Sequence, residues 1–139
     1  MVIPFRIRQI KTQQFAMFPE ILTEINEVTI ESQFGFGINK NATDVRCTTK
    51  ISYRQDEKLL LFTEVLCFFS VMEDGSKQIL TQGKIDVGFL RYLATIATGT
   101  VRGIIHTKTE DTALNPVVLP PINLVEVIKE DFIFSPPKK

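Results

Sequence analysis

Apolar and polar positions alternate through the first half of the chain, the period of two that is typical of β-strands with one buried face. A first strand begins at Phe5, and a second is centred on Phe34 and Phe36, with glycine between and after them. A third strand alternates polar or charged residues with a mostly apolar set: Val45, Cys47, Thr49, Ile51 and Tyr53. The polar residues Gln55 to Lys58 predict a hairpin turn after it.

A fourth strand, from Leu59 to Val71, is apolar at most positions rather than at alternate ones. A strand of this type is normally covered on both faces. We expect one cover to be a helix of the same chain. The other cover could be a long loop, another subunit, or a ligand that binds and leaves. Asp74 and Gly75 predict a turn that ends the strand.

The spacing of apolar residues then changes to three and four, which predicts an amphipathic helix with Asp86 as its N-cap and an end near His106. Its apolar stripe contains Val87, Leu90, Ala94, Ala97, Val101, Ile104 and Ile105. Thr95, Gly99 and Gly103 follow at intervals of four and flatten one side. Because glycine in a helix costs up to about 1 kcal/mol relative to alanine, this line indicates a closely approaching backbone. Packing of the helix on its own sheet is an equal alternative.

The segment from Pro116 to Leu124 contains three prolines among apolar residues. Proline interrupts helices and weakens strands, so we expect a stiff, extended segment that packs on a surface. A short helix is predicted from Leu124 to Lys129, with Phe132 and Phe134 completing the core.

The chain has 139 residues, which predicts a single α+β domain over residues 1–135 and a frayed tail over 136–139. Its 16 Lys and Arg balance its 16 Asp and Glu and are scattered along the sequence, so we expect no nucleic-acid partner. The N-terminus lacks the apolar region of a signal peptide, and no apolar stretch is long enough for stable membrane insertion. The expected location is therefore cytoplasmic.

No residue pattern indicates a catalytic centre, a metal site or a cofactor. The one histidine, His106, has no cysteine or carboxylate at the spacing of a metal ligand, and Cys47 and Cys67 are expected to be buried thiols. Only the fold could bring Cys47 and His106 together as a nucleophile pair. Glu64 is the one acid in the apolar strand. It is either a perturbed carboxylate of functional interest or, more commonly for such a residue, one that lies near a strand bend or faces a basic neighbour.

Taken in order, several segments are similar to the SecB chaperone family, and together they span nearly the whole chain. They are the opening strand Phe5–Thr12, the motif Thr63-Glu64-Val65 followed by Phe68-Phe69-Ser70-Val71, the helix segments Leu90-Arg91-Tyr92 and Val101-Arg102-Gly103, and the stretch Leu119-Pro120-Pro121-Ile122-Asn123-Leu124. It is the shared order of these segments that carries the resemblance.

The resemblance implies a four-stranded antiparallel sheet followed by one long and one short helix, assembled as a dimer or a dimer of dimers. It also implies an ATP-independent chaperone without a cofactor, which holds unfolded polypeptide in apolar grooves. The implied client-binding residues are Phe34, Phe36, Leu61, Phe62, Leu119, Pro120, Pro121 and Ile122. The long helices would pack between subunits and place Thr95, Gly99 and Gly103 at the oligomer interface.

Export members of the family are strongly acidic and dock the SecA motor, whereas this chain is neutral and lacks the long second helix and tail. Relatives in toxin–antitoxin systems imply an antitoxin as the alternative partner. A dedicated interaction module on the same fold, recognising one protein, is a second hypothesis. A third is an enzyme or small-ligand binder with a site built from Glu64, His106 or Cys47.

Overall fold

The structure is a computed structural model that describes residues 3–24 and 27–134. Its strands are β1 (Phe5–Met17), β2 (Thr29–Ile38), β3 (Asp44–Gln55), β4 (Lys58–Val71), and the two-residue strands β5 (Lys84–Ile85) and β6 (Phe132–Ile133). Its helices are α1 (Glu73–Gln82), α2 (Val87–Lys108) and α3 (Leu124–Val127), and a 3₁₀ turn spans Pro19–Ile21. The predicted α+β fold, with a four-stranded antiparallel sheet followed by a long and a short helix, is confirmed.

The order of the strands in the main sheet is β1-β4-β3-β2, and every neighbouring pair is antiparallel. β4 is therefore central, which explains why its sequence is apolar at most positions. β1 and β2 are the two edges, and each pairs with one strand only among the described residues. Two register shifts interrupt β1, and most of its residues are exposed, as is common for an edge strand.

The sheet has two unlike faces, which we call the helix face and the open face. The helix face carries the fully buried alternate residues of β3 and β4, and α2 packs on β3 there. The main side chains of this core are Val45, Ile51, Tyr53, Val65, Phe69, Leu90, Leu93, Ala97 and Val101. The open face carries the other β4 residues, including the half-buried Phe62, Leu66 and Phe68. No helix of the described residues lies over this second face.

The turn predicted at Asp74 and Gly75 is wrong, because both residues lie in the first turn of α1. Gly75 is buried there, and a Cβ on it would collide with the side chains of Ile3 and Val71. Its small size is thus required for close packing rather than for a chain reversal. The hairpin predicted between β3 and β4 is confirmed at Asp56 and Glu57, whose φ angles of 50° and 69° are typical of a tight hairpin turn.

The predicted long helix is confirmed as α2, and the Asp86 carboxylate caps it by accepting a hydrogen bond from the N–H of Gly88 at 2.9 Å. It ends at Lys108, two residues beyond the predicted His106. α3 ends at Val127 and is shorter than predicted. The helices of residues 3–24 and 27–134 are all too short or too polar to cross a bilayer. The single domain over 1–135 stays a prediction, and the predicted tail, 136–139, lies outside the described residues.

Candidate functional site

Residues 117–134, which we call the return segment, run back along α2 in the opposite direction to it. The guanidinium of Arg102 donates to the carbonyl oxygens of Leu119 at 2.6 Å and Pro120 at 3.1 Å. One end of α2 is thereby fastened to the proline-rich part of the segment. Toward the other end, Arg91 donates to the carbonyl oxygens of Ile128 at 2.8 Å and Val125 at 3.3 Å.

The two arginines can act together because of their spacing on the helix. Eleven residues are about three α-helical turns, so Arg91 and Arg102 lie on the same side, about 16 Å apart. Hydrogen bonds from charged donors contribute about 1.5–3 kcal/mol each when they are well formed. Four such bonds hold an extended segment that has little secondary structure of its own.

Two further contacts fix the ends of the return segment. The Tyr53 hydroxyl donates to the carbonyl oxygen of Val117 at 3.2 Å, and burial raises the pKa of this phenol to about 12, so it remains a donor. Near the other end, the Asp131 carboxylate accepts from the N–H of Val87 at 2.8 Å and from Lys84 at 3.0 Å. The Val87 N–H first, and Lys84 second, lower the pKa of Asp131 below its usual 3.8.

Two clefts flank α3 along this fastened segment. The first, of about 500 Å³, lies between α2 and the prolines and is lined by Thr95, Thr98, Arg102, Val118, Leu119, Pro120, Pro121, Ile122 and Leu124. The second, of about 420 Å³, lies beside β2 and is lined by Phe34, Phe36, Leu90, Val127, Ile128, Lys129, Glu130, Asp131 and Phe132. We call the two clefts together the groove. Most of their lining residues are apolar.

Exposed apolar side chains line the groove and its rim. Val118 is 55% exposed, Val125 63% and Val127 44%, although the segment that carries them is anchored at both ends. The outer edge of β2 is adjacent to Phe34 and Phe36 and has no strand partner among the described residues. Exposed apolar surface next to unpaired backbone groups is a site where an extended chain can bind.

The predicted client-binding residues are only partly brought together. Phe34 and Phe36 lie in the second cleft, and residues 119–122 lie in the first. Leu61 is fully buried in the core on the helix face. Phe62 lies on the open face, on the other side of the sheet from the groove, because neighbouring residues of a strand point to opposite faces.

The three residues predicted at the oligomer interface are also in different surroundings. Thr95 lines the first cleft, whereas Gly99 and Gly103 are exposed, and a Cβ on either would contact nothing within 4 Å. Close packing on the protein's own sheet therefore does not account for the two glycines. α2 also lies beside β1, since Phe5 forms edge-to-face contacts with Phe89 and Tyr92 at about 5.5 Å.

The residues considered for chemistry are separated in the fold. Cys47 and Cys67 face each other across β3 and β4, and burial raises the pKa of their thiols to about 12 and about 11. These thiols are therefore poor nucleophiles at neutral pH. His106 is exposed near the end of α2, whereas Cys47 is in the core. Glu64 lies on the open face and faces Lys50 across β3 and β4, but the two side chains form no salt bridge. Within residues 3–24 and 27–134, no cluster of His, Cys, Asp and Glu is arranged to hold a metal ion.

The anchoring residues of the groove were not identified from the sequence. Arg91 and Arg102 appeared there only as parts of matching segments. Their spacing of about three turns was a usable signal, because it placed two strong donors on one side of the predicted helix. The roles of Tyr53 and Asp131 depend on contacts across 64 and 44 residues, which no local pattern reveals.

Comparison with protein-family models gives no match, and no curated protein matches the chain in sequence. Among solved structures, the chain is similar to the SecB-like chaperone Rv1957 of Mycobacterium tuberculosis, determined in complex with a ChAD peptide from the HigA1 antitoxin Rv1956. The TM-score is 0.49 at 15% sequence identity, and the match covers 85% of this chain and 90% of the other. A likeness of this degree does not assign a family or a function.

Proposed function

We propose that this protein is an ATP-independent chaperone that binds unfolded or partly folded polypeptide in the groove. The single observation that carries the proposal is the arrangement of the return segment. Four arginine hydrogen bonds hold it in place while it exposes Val118 in the first cleft and Val127 in the second cleft, beside the free edge of β2. A surface of this kind is costly in water unless another chain covers it.

Binding would combine two kinds of contact. An extended client would pair its backbone with the outer edge of β2, which supplies affinity that does not depend on sequence. Its apolar side chains would enter the two clefts, which gives a preference for apolar and aromatic residues. Burial contributes about 25 cal/mol per Å² of apolar surface, so each anchor is worth only about 1–3 kcal/mol. Binding is thus reversible and requires neither hydrolysis nor a cofactor.

The test is the aggregation of a chemically unfolded substrate protein after dilution from denaturant. Stoichiometric amounts of this protein should slow the aggregation, and a labelled extended peptide should compete. A purified protein that leaves aggregation unchanged and binds no such peptide would contradict the proposal.

A pair of variants separates the groove from exposed apolar surface in general. Val127 in the second cleft and Met72 between β4 and α1 are exposed to a similar extent, 44% and 41%, but Met72 lines neither cleft. Val127→Gln should weaken peptide binding about tenfold, because it removes about 1.4 kcal/mol of apolar burial. Met72→Gln should leave peptide binding unchanged.

The β1 edge supports the proposed assembly of this chain into a dimer or a dimer of dimers. Ile7 and Ile10 on β1 are exposed, and so are Gly99 and Gly103 on α2. A second copy could approach the glycines closely and cover the isoleucines. Light scattering tests this assembly, and a monomer at micromolar concentration would contradict it.

Two biological settings follow from the sequence resemblance, protein export and toxin–antitoxin control. A general chaperone should retain many unrelated unfolded proteins, whereas a dedicated interaction module should retain a single partner. Exposing immobilised protein to a mixture of unfolded polypeptides, and counting what remains bound, distinguishes the two.

A further inference from the structure

The open face of the sheet gathers positive charges that are scattered along the sequence. Opposed pairs in the strand register, together with Arg8, place six cations and three acids on this face, an excess of three positive charges. The cations are Arg6, Arg8, Lys11, Arg46, Lys50 and Arg54, and the acids are Glu31, Asp44 and Glu64. The chain as a whole is neutral, so its charge is distributed asymmetrically between the faces.

Only some of these cations are paired. Arg8 contacts Asp44 at 2.9 Å, and Arg54 contacts Glu31 at 3.2 Å. The remaining four, Arg6, Lys11, Arg46 and Lys50, form no salt bridge with any described residue. They lie in two rows, on β1 and on β3, on either side of the central strand β4.

Between these rows, the half-buried Phe62, Leu66 and Phe68 of β4 form an apolar stripe. Glu64 interrupts the stripe between Phe62 and Leu66, and the Arg8 guanidinium lies over the Phe68 ring at its end. Two shallow depressions of about 330 and 220 Å³ lie beside it, next to Arg46 and Lys50 respectively. Gly37 lines the first depression and Gly35 the second, and the Arg46 guanidinium lies over Gly37, where a Cβ would collide with it. The result is an apolar strip with a basic rim and open space beside it.

We propose that the open face docks an acidic amphipathic helix of a partner protein. Its apolar side would cover the stripe, and its acidic flanks would meet the unpaired cations of β1 and β3. The face consists of side chains only, so an extended strand would find no backbone partner on it. The stripe spans about 20 Å at 3.3 Å per residue, which is the length of about 13 helical residues.

The same charges disfavour other occupants. A second copy applied face to face would oppose one basic surface to another. The chain's own terminal residues, Lys138 and Lys139, are basic as well. A single nucleic-acid strand would need exposed aromatic rings for its bases, but the Arg8 guanidinium covers the Phe68 ring at 5.3 Å from its centroid.

The test is fluorescence anisotropy with a labelled synthetic 16-residue helix that has leucines along one side and glutamates on both flanks. Its lysine-flanked counterpart and a 20-nucleotide oligo-dT are the comparison probes. The acidic helix should bind this protein, and raising salt from about 50 to 200 mM should weaken that binding at least threefold, since exposed charges are screened. The two comparison probes should bind at least tenfold more weakly.

Lys50→Glu and Lys77→Glu form the matched pair of variants. Each reverses one exposed lysine, but Lys77 lies on α1, away from the open face, and is 71% exposed. Lys50→Glu should weaken binding of the acidic helix at least fivefold, and Lys77→Glu should change it less than twofold. Val127→Gln should leave binding of the acidic helix unchanged. The experiments therefore distinguish a wrong proposal about the groove from a wrong proposal about the open face.

Three outcomes would overturn the proposal. They are an acidic helix that does not bind, equal losses with Lys50→Glu and Lys77→Glu, and oligo-dT or the lysine-flanked helix binding as tightly as the acidic one.

Discussion

Both edge strands of the main sheet, β1 and β2, have no strand partner on their outer side among the described residues, but the surroundings of the two edges differ. At the β2 edge, the return segment forms an apolar groove that arginine hydrogen bonds keep open. At the β1 edge the described residues include no such segment, and Ile7 and Ile10 on β1 and Gly99 and Gly103 on α2 are exposed. A free edge is normally a risk of aggregation. This difference is the basis of the two proposed uses, the binding of an unfolded polypeptide at β2 and of a second copy of the chain at β1.

The largest expected effect comes from releasing the return segment. Arg102→Met removes both hydrogen bonds to the carbonyl oxygens of Leu119 and Pro120. The free energy of unfolding should fall by about 3 kcal/mol, the lower end of the range for two such bonds, and peptide affinity should fall with it, because the first cleft loses its wall. Urea denaturation followed by circular dichroism measures the first quantity, and anisotropy measures the second.

Arg54→Met is the control for this change. Arg54 forms an exposed ion pair with Glu31 and holds no backbone carbonyl, so its loss should cost less than about 1 kcal/mol. Equal losses of stability and affinity in the two variants would mean that the arginine clamp does not shape the groove.

A smaller effect is expected at Gly99 on the β1 side. Gly99→Ala should raise the stability of the dissociated chain by about 0.5–1 kcal/mol, because the added methyl group meets nothing. Gly99→Leu should weaken self-association, as measured by light scattering over a dilution series. Lys77→Leu, at an exposed position of α1 outside this line of residues, should not weaken it. If Gly99→Leu associates as strongly as the parent chain, the glycines of α2 are not part of the subunit interface.

The smallest effect concerns pH and the Asp131 contact. The pKa of Asp131 is lower in the folded chain than its usual 3.8, so its contribution to stability is present above that pH. It is lost as the pH falls through the folded-state pKa. Asp131→Asn should therefore be less stable than the parent chain at pH 7, and the difference should shrink below pH 4. A difference that is constant from pH 7 to pH 3 would contradict this role.

The sequence was sufficient for the sheet and the long helix because their signals are local. Alternation identified β3, spacing of three and four identified α2, and Asp86 marked the start of α2. α1 was missed because its glycine at position 75 and its polar residues are more typical of a turn. Its helical state depends on packing of Gly75 against Ile3 and Val71, which are brought there by the fold.

Only part of the groove could be predicted, for a related reason. Phe34 and the proline segment stood out by composition, but the face to which each residue points depends on strand register. Phe62 was therefore grouped with residues on the opposite face, and the buried Leu61 with exposed ones. The basic open face was not visible either, because its cations come from β1 and β3, two strands that are far apart in the sequence and flank β4 in the sheet.

Hydrogen exchange with and without a bound unfolded client tests the central claim most directly. Client binding should slow exchange of backbone amides in β2 and in the return segment, while amides of β1 keep their rates. Protection confined to β1, or no change in β2, would show that clients are not held in the groove.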